Sequence, residues 1–146
     1  MKYLIGIDLG TSGTKTVLFD TSGNVVKSAL EEYPMYQPQN GWAEQNPTDW
    51  YDAAVKTLQA VTSGIDSREI AGIGISGQMH GLVMLDEHNE VIRPSIIWCD
   101  GRTAAECDEI TNLVGRERLI EITANPALTG FTASKIMWVK KHEKEN

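Results

Sequence analysis

Near its amino terminus the chain runs apolar, then small and polar, then apolar again, through Tyr3-Leu4-Ile5-Gly6-Ile7-Asp8-Leu9-Gly10-Thr11-Ser12-Gly13-Thr14-Lys15 and on to Phe19. The β-branched and aromatic residues on both sides of a few small ones predict a β-hairpin with Thr16 to Phe19 in its second arm. Gly10 and Gly13 can take backbone angles closed to other residues and leave room for a ligand. The amides and hydroxyls of Thr11, Ser12 and Thr14 can donate to phosphate oxygens. Asp8 stands at the mouth of this turn, where a carboxylate can bind Mg²⁺ directly or through water, because that ion takes few protein ligands and keeps most of its hydration shell. Lys15 adds a positive charge. The turn contains neither G-x-x-x-x-G-K-[ST] nor G-x-G-x-x-G, so it is not a P-loop or a Rossmann fingerprint. The same residues also suit a plain hairpin in which Asp8 bonds backbone amides of a solvated turn.

Several function classes are disfavoured by composition. At 146 residues a single domain buries roughly 68 to 70 per cent of its unfolded surface, enough for a core without staples. With 41% hydrophobic and 23% charged residues the chain resembles neither a disordered nor a membrane protein. No apolar run approaches the roughly 18 residues of a spanning helix, and no signal-peptide pattern opens the sequence, so the cytoplasm is the expected location. The formal charge of −7, with no basic block beyond the mixed tail Lys140 to Lys144, argues against nucleic acid as a partner. Cys99 and Cys107 form no C-x-x-C and are expected as free thiols.

A third strand is predicted from Val25 to Tyr33, set off by the turn formers Asp20-Thr21-Ser22-Gly23-Asn24. After a loop rich in Pro, Gln, Asn and Gly, the segment Asn46-Pro47-Thr48-Asp49 suits a helix start. Trp50, Ala54, Leu58 and Val61 then mark one buried face, ending the helix at about Val61. Ile70 to Gly77 is a continuous apolar run that reads as a central strand covered on both faces. Leu82 to Leu85 and Val91 to Ile92 flank a polar turn and predict a hairpin, and Ser95 to Trp98 a further strand. Helices are expected over Thr103 to Leu113 and Thr132 to His142. Three strands, a helix, a strand and a helix are the order of a ribonuclease H-like α/β domain, a mixed sheet with an antiparallel three-strand start and flanking helices. No internal repeat or linker-like composition shift divides residues 1 to 146.

Two predicted strand ends carry polar clusters, where ligands of open α/β sheets bind. Ser76-Gly77-Gln78-Met79-His80-Gly81 ends one. Trp98-Cys99-Asp100-Gly101-Arg102-Thr103 ends the other and offers an aromatic face with a carboxylate, as sugar sites do. Each cluster has a structural alternative: a satisfied histidine beside a core methionine, and a buried Trp with an Asp-Arg ion pair at a helix start.

The first hairpin resembles the first phosphate motif of the actin-like ATPase superfamily. Together with Gly41-Trp42-Ala43-Glu44-Gln45-Asn46-Pro47, Gln78-Met79-His80-Gly81, the Trp98 segment and Gly130-Phe131-Thr132-Ala133-Ser134-Lys135-Ile136-Met137-Trp138-Val139, it resembles the amino-terminal part of an FGGY-family carbohydrate kinase, from Tyr3 to about His142. The Gln78, Trp98 and Gly130 segments resemble most the branch of that family that phosphorylates D-xylulose.

That resemblance implies ATP and Mg²⁺ as cofactors and a ketopentose as acceptor. It implies Asp8 for the metal and Thr11, Ser12, Gly13 and Lys15 for the nucleotide phosphates. It further implies Met79 and His80, with Gln78, Trp98 and Asp100, for the sugar. Such kinases have two domains, so the second domain and the aspartate that takes the sugar hydroxyl proton are expected beyond residue 146. The 146-residue polypeptide is expected to be inactive alone. Exposed apolar surface makes self-association, including a homodimer, an expectation as well. Open alternatives are a family member acting on another ketose or a polyol, a sugar-free actin-like nucleotide module, and a noncatalytic sugar binder.

Overall fold

The computed structural model describes residues 2–146, and these pack as two compact units, one of residues up to Met35 with Pro47–Gln78, the other of Tyr36–Asn46 with Met79–Asn146. In the first unit β1 (Tyr3–Leu9) pairs antiparallel with β2 (Gly13–Asp20), and β2 pairs antiparallel with β3 (Val25–Glu32). β5 (Ile70–Gly77) lies parallel to β1, giving the order β3-β2-β1-β5. The mixed α/β architecture with an antiparallel start therefore agrees with the sequence. Because side chains alternate along a strand, Ile5, Ile7, Thr14, Thr16 and Leu18 fall on one face and are buried, while Asp8 and its cross-strand partner Lys15 fall on the other and are exposed.

The buried face is covered by α1 (Pro47–Thr62), which packs on β2 and β3. Pro47 suits the first helical position through its fixed φ, and Asp49 in the first turn complements the helix dipole. The buried residues are Ala53, Thr57 and Val61, beside a partly buried Leu58. This rotates the expected face away from Trp50 and Ala54. A polar residue fits there because the Thr57 and Thr16 hydroxyls bond each other at 2.7 Å, with the Ala53 carbonyl 2.8 Å from Thr57 Oγ1. Apolar spacing alone could not reveal that pair.

β5 departs from expectation. Within the described residues it is the edge of the sheet rather than a central strand, and Ile73 and Ile75 are exposed at 53% and 73%. Ile73 and Ile75 stand two residues apart and so share one face of the strand, and composition does not say which segment covers it.

In the second unit β4 (Glu44–Gln45) pairs antiparallel with β6 (Ser95–Ile96). α2 (Ala104–Val114) packs against α3 (Arg116–Thr123) and α4 (Thr132–His142). The core gathers Leu82, Ile96, Trp138 and Val139, with Trp42 and Met84 against it. The expected hairpin of Leu82 to Ile92 is reduced to a single Leu85–Val91 bridge around a turn in which Asp86 Oδ1 accepts from the His88 and Glu90 amides. The strand expected to reach Trp98 stops at Ile96, since the chain folds into a turn closed by the Asp100 amide on the Ile97 carbonyl. α3 was not anticipated. Gly115, at φ 84°, separates it from α2. No described helix is long and apolar enough to cross a membrane, and Cys99 and Cys107 are free thiols.

Candidate functional site

The first unit holds the phosphate-type turn. Gly10 N–H donates to the Gly13 carbonyl at 3.0 Å, closing the link between β1 and β2. Gly13 has to be glycine for steric reasons, because a Cβ there would lie 2.6 Å from the Glu31 carbonyl oxygen. Two residues from outside the hairpin brace the turn. The Tyr33 hydroxyl donates to the Gly10 carbonyl at 2.5 Å. The Gln78 amide donates to the Leu9 carbonyl at 2.8 Å, with its side-chain Nε2 3.5 Å from the Gly10 carbonyl. Gln78, expected at the sugar, thus braces the turn between β1 and β2. Burial raises the Tyr33 pKa above its ordinary value and the negative charge of Asp8 adds to this, against the opposing hydrogen bond from Thr14. The phenol stays protonated and remains a donor.

Asp8, Lys15, Ser76, Gly6 and Gly74 border a shallow depression on the open face of the sheet. Ser12 and Lys15 are exposed, and Thr11 and Gly13 partly so. The described residues contain no cluster of three or more His, Cys, Asp or Glu side chains able to cage a metal. A lone exposed carboxylate between glycines, with a lysine opposite, instead fits a hydrated Mg²⁺ shared with phosphate oxygens, the usual manner of binding for that ion.

The second unit holds the remaining candidates. Met79 is 68% exposed. His80 is exposed and has a left-handed backbone, φ 65°, which costs a non-glycine residue ~1–2 kcal/mol. Its ring meets Phe131 edge-on at 4.7 Å. Its carbonyl accepts from Lys135 Nζ at 2.7 Å and from Thr132 Oγ1 at 3.2 Å. His80 also borders a largely apolar cavity of about 270 Å³ walled by Ile110, Leu119, Leu128 and Phe131. Trp98 is 48% exposed, and a Cβ on Gly130 would come within 3.0 Å of its carbonyl oxygen, so a glycine lets the two loops approach.

Asp100 is buried, and its carboxylate accepts from the Ala43 amide at 2.6 Å and from the Arg102 amide and guanidinium at 2.7 to 3.0 Å. Arg102 also pairs with Glu44 at 2.7 Å and lies 3.7 Å over the Trp42 ring. Glu44 in turn pairs with Arg93, which reaches Glu143. Asp100 thus anchors the turn after Trp98 in a buried ionic network. Sequence reasoning left Tyr33 and Lys135 without a role. A lysine between a serine and an isoleucine in a helix carries no local sign of burial. The only available signal was its place in the Gly-Phe-Thr-Ala-Ser-Lys run.

Residues 3–146 match the model of the FGGY family of carbohydrate kinases, N-terminal domain. The chain is 45% identical to the xylulose kinase of Bacillus subtilis over 99% of its own length and 29% of that protein's. Among solved structures it superimposes on a xylulose kinase from Rhodospirillum rubrum with TM-score 0.93 at 30% identity, and on a xylulose kinase from Brucella ovis with TM-score 0.87 at 39% identity. These cover 99% and 98% of this chain and 30% of each partner. The chain therefore spans about three tenths of the length of the relatives it matches, and the glycine-bounded turn, the Met79-His80 pair and the Trp98 loop all lie within the matched residues. On that match this chain belongs to the FGGY family of carbohydrate kinases.

Proposed function

We propose that this chain supplies phosphate-facing and sugar-facing residues of an enzyme that transfers the γ-phosphoryl group of ATP to a hydroxyl of D-xylulose, forming D-xylulose 5-phosphate and ADP. The carrying observation is the Met79-His80 pair, exposed after the end of a strand, with the His80 backbone held in a left-handed conformation. Strain of that kind persists where surrounding contacts over-determine it, as they do at ligand sites. The xylulose kinases among its relatives support a pentulose as the ligand.

In this reading the amides of Thr11, Ser12 and Gly13 and the hydroxyls of Thr11 and Ser12 hold phosphate oxygens, and Lys15 offsets their charge. Tyr33 and Gln78 keep the turn in shape. Mg²⁺ bound at Asp8 would neutralise charge on the phosphates. Met79 and His80 orient the ketose, Trp98 offers an apolar face to its carbon skeleton, and Asp100 fixes the Trp98 loop through Arg102 and Ala43. Positioning of this kind supplies much of the acceleration in phosphoryl transfer.

The test is a coupled ADP-release assay on a polypeptide of the relatives' full length that carries this sequence, with Mg²⁺-ATP and a panel of pentuloses, hexuloses, gluconate and glycerol. Dominant turnover of D-xylulose is expected. Preference for another acceptor would move the substrate assignment, and ADP release independent of any sugar would overturn the kinase reading.

A further inference from the structure

We infer that Lys135 is a positioning residue for His80, setting where the imidazole stands by binding its backbone carbonyl and never touching the ligand. This rests on the reading of His80 as a sugar contact.

Lys135 is fully buried in α4, an uncommon place for an ammonium unless its donors are satisfied. Two of the three N–H donors are spent on carbonyl oxygens, those of His80 and Gly130, each at 2.7 Å. These acceptors belong to different loops, one after β5 and one before α4, so a single cation ties the two together. Thr132 adds its hydroxyl to the same His80 carbonyl, and Phe131 meets the His80 ring. Residues 130 to 135 therefore grip both the backbone and the side chain of His80.

The geometry is more specific than packing requires. A methionine would fill a similar volume without the desolvation cost of a buried charge, whereas an ammonium directed at the carbonyl of a residue with φ 65° opposes that residue's tendency to relax. Burial depresses the Lys135 pKa to about 8, with the Asp100 and Cys99 charges working against the shift and Arg102 adding to it. The side chain is still mostly protonated at neutral pH and so remains a donor.

The experiment is NMR on a polypeptide of the relatives' full length that carries this sequence and on its Lys135→Met, Thr132→Ala and Lys140→Met variants, with D-xylulose titrated into each. The Gly81 amide nitrogen reports hydrogen bonding to the preceding His80 carbonyl, and the His80 Cε1–H signal reports its place against the Phe131 ring. Lys135→Met should shift both signals and weaken D-xylulose binding about tenfold. Thr132→Ala should shift them in the same direction by less, and the exposed-site control Lys140→Met should leave them in place. Should Lys135→Met fail to fold, Thr132→Ala decides. Gly81 and His80 signals unmoved in the folded variants would overturn the inference. Shifts in a chain that binds no D-xylulose would uphold the positioning role and remove the sugar reading instead.

Discussion

Tyr33 and Gly10 stand 23 residues apart in sequence, yet the phenol of one donates to the carbonyl of the other at 2.5 Å. The residue that follows β3 thereby braces the turn between β1 and β2. Replacing Tyr33 by Phe leaves the Gly10 carbonyl without this donor and should cost about 1 kcal/mol of unfolding free energy. In a polypeptide of the relatives' full length it should raise KM for Mg²⁺-ATP more than KM for the sugar. Thermal denaturation and the two KM values check this.

The same residue predicts an alkaline limit. Its folded-state pKa lies above the ordinary value of 10.0, so its contribution to stability is complete below that value and is lost as pH rises through the folded pKa. The slope of unfolding free energy against pH in that range should be less negative in Tyr33→Phe than in the wild type.

Lys135 has the opposite sign. Its pKa is depressed from 10.5 to about 8 by burial, so between these values the unfolded chain binds more protons than the folded one. Stability should therefore rise as pH increases from about 8 to about 10.5. Lys135→Met should abolish that rise, which urea unfolding across the interval would show.

Much of the first unit was legible in sequence because the information is local. Period-two apolar residues and small turn formers specify β1 to β3, and Pro47 marks the start of α1. The choice of Ala53, Thr57 and Val61 as the buried face was not legible, since it depends on a hydroxyl pair with Thr16 from another strand. Nor was the edge position of β5, because an apolar run records that cover is needed but not its source. In the second unit α3 escaped notice because Leu119, Ile120 and Ile122 make no single apolar face. Asp100 could not be assigned from its neighbours alone. Its carboxylate is engaged by Ala43, 57 residues away, as well as by nearby Arg102.

That network gives a further prediction. Arg102→Met removes the charge partner of Asp100 and one of the two arginines on Glu44, leaving the buried Asp100 carboxylate with the Ala43 amide but no cation while Glu44 keeps Arg93. Breaking a buried pair from one side costs about 3–5 kcal/mol. Chemical denaturation should show a loss of that order, and loss of the Trp42 contact should change tryptophan fluorescence.

Gly13→Ala should be poorly tolerated for a different reason. The added methyl meets the Glu31 carbonyl oxygen at 2.6 Å, and that oxygen is backbone that cannot swing aside. Relief requires β2 and β3 to separate at the turn, so both thermal stability and nucleotide affinity should fall, whereas Gly74→Ala, with open space around its Cβ, should leave stability nearly unchanged.

The central claim is that Met79 and His80 meet the sugar. Isothermal titration of D-xylulose into a polypeptide of the relatives' full length and into its His80→Ala variant tests it most directly. The expected result is at least about a tenfold loss of D-xylulose affinity, with Mg²⁺-ATP affinity and thermal stability close to those of the wild type. Equal D-xylulose affinity in the two proteins would contradict it.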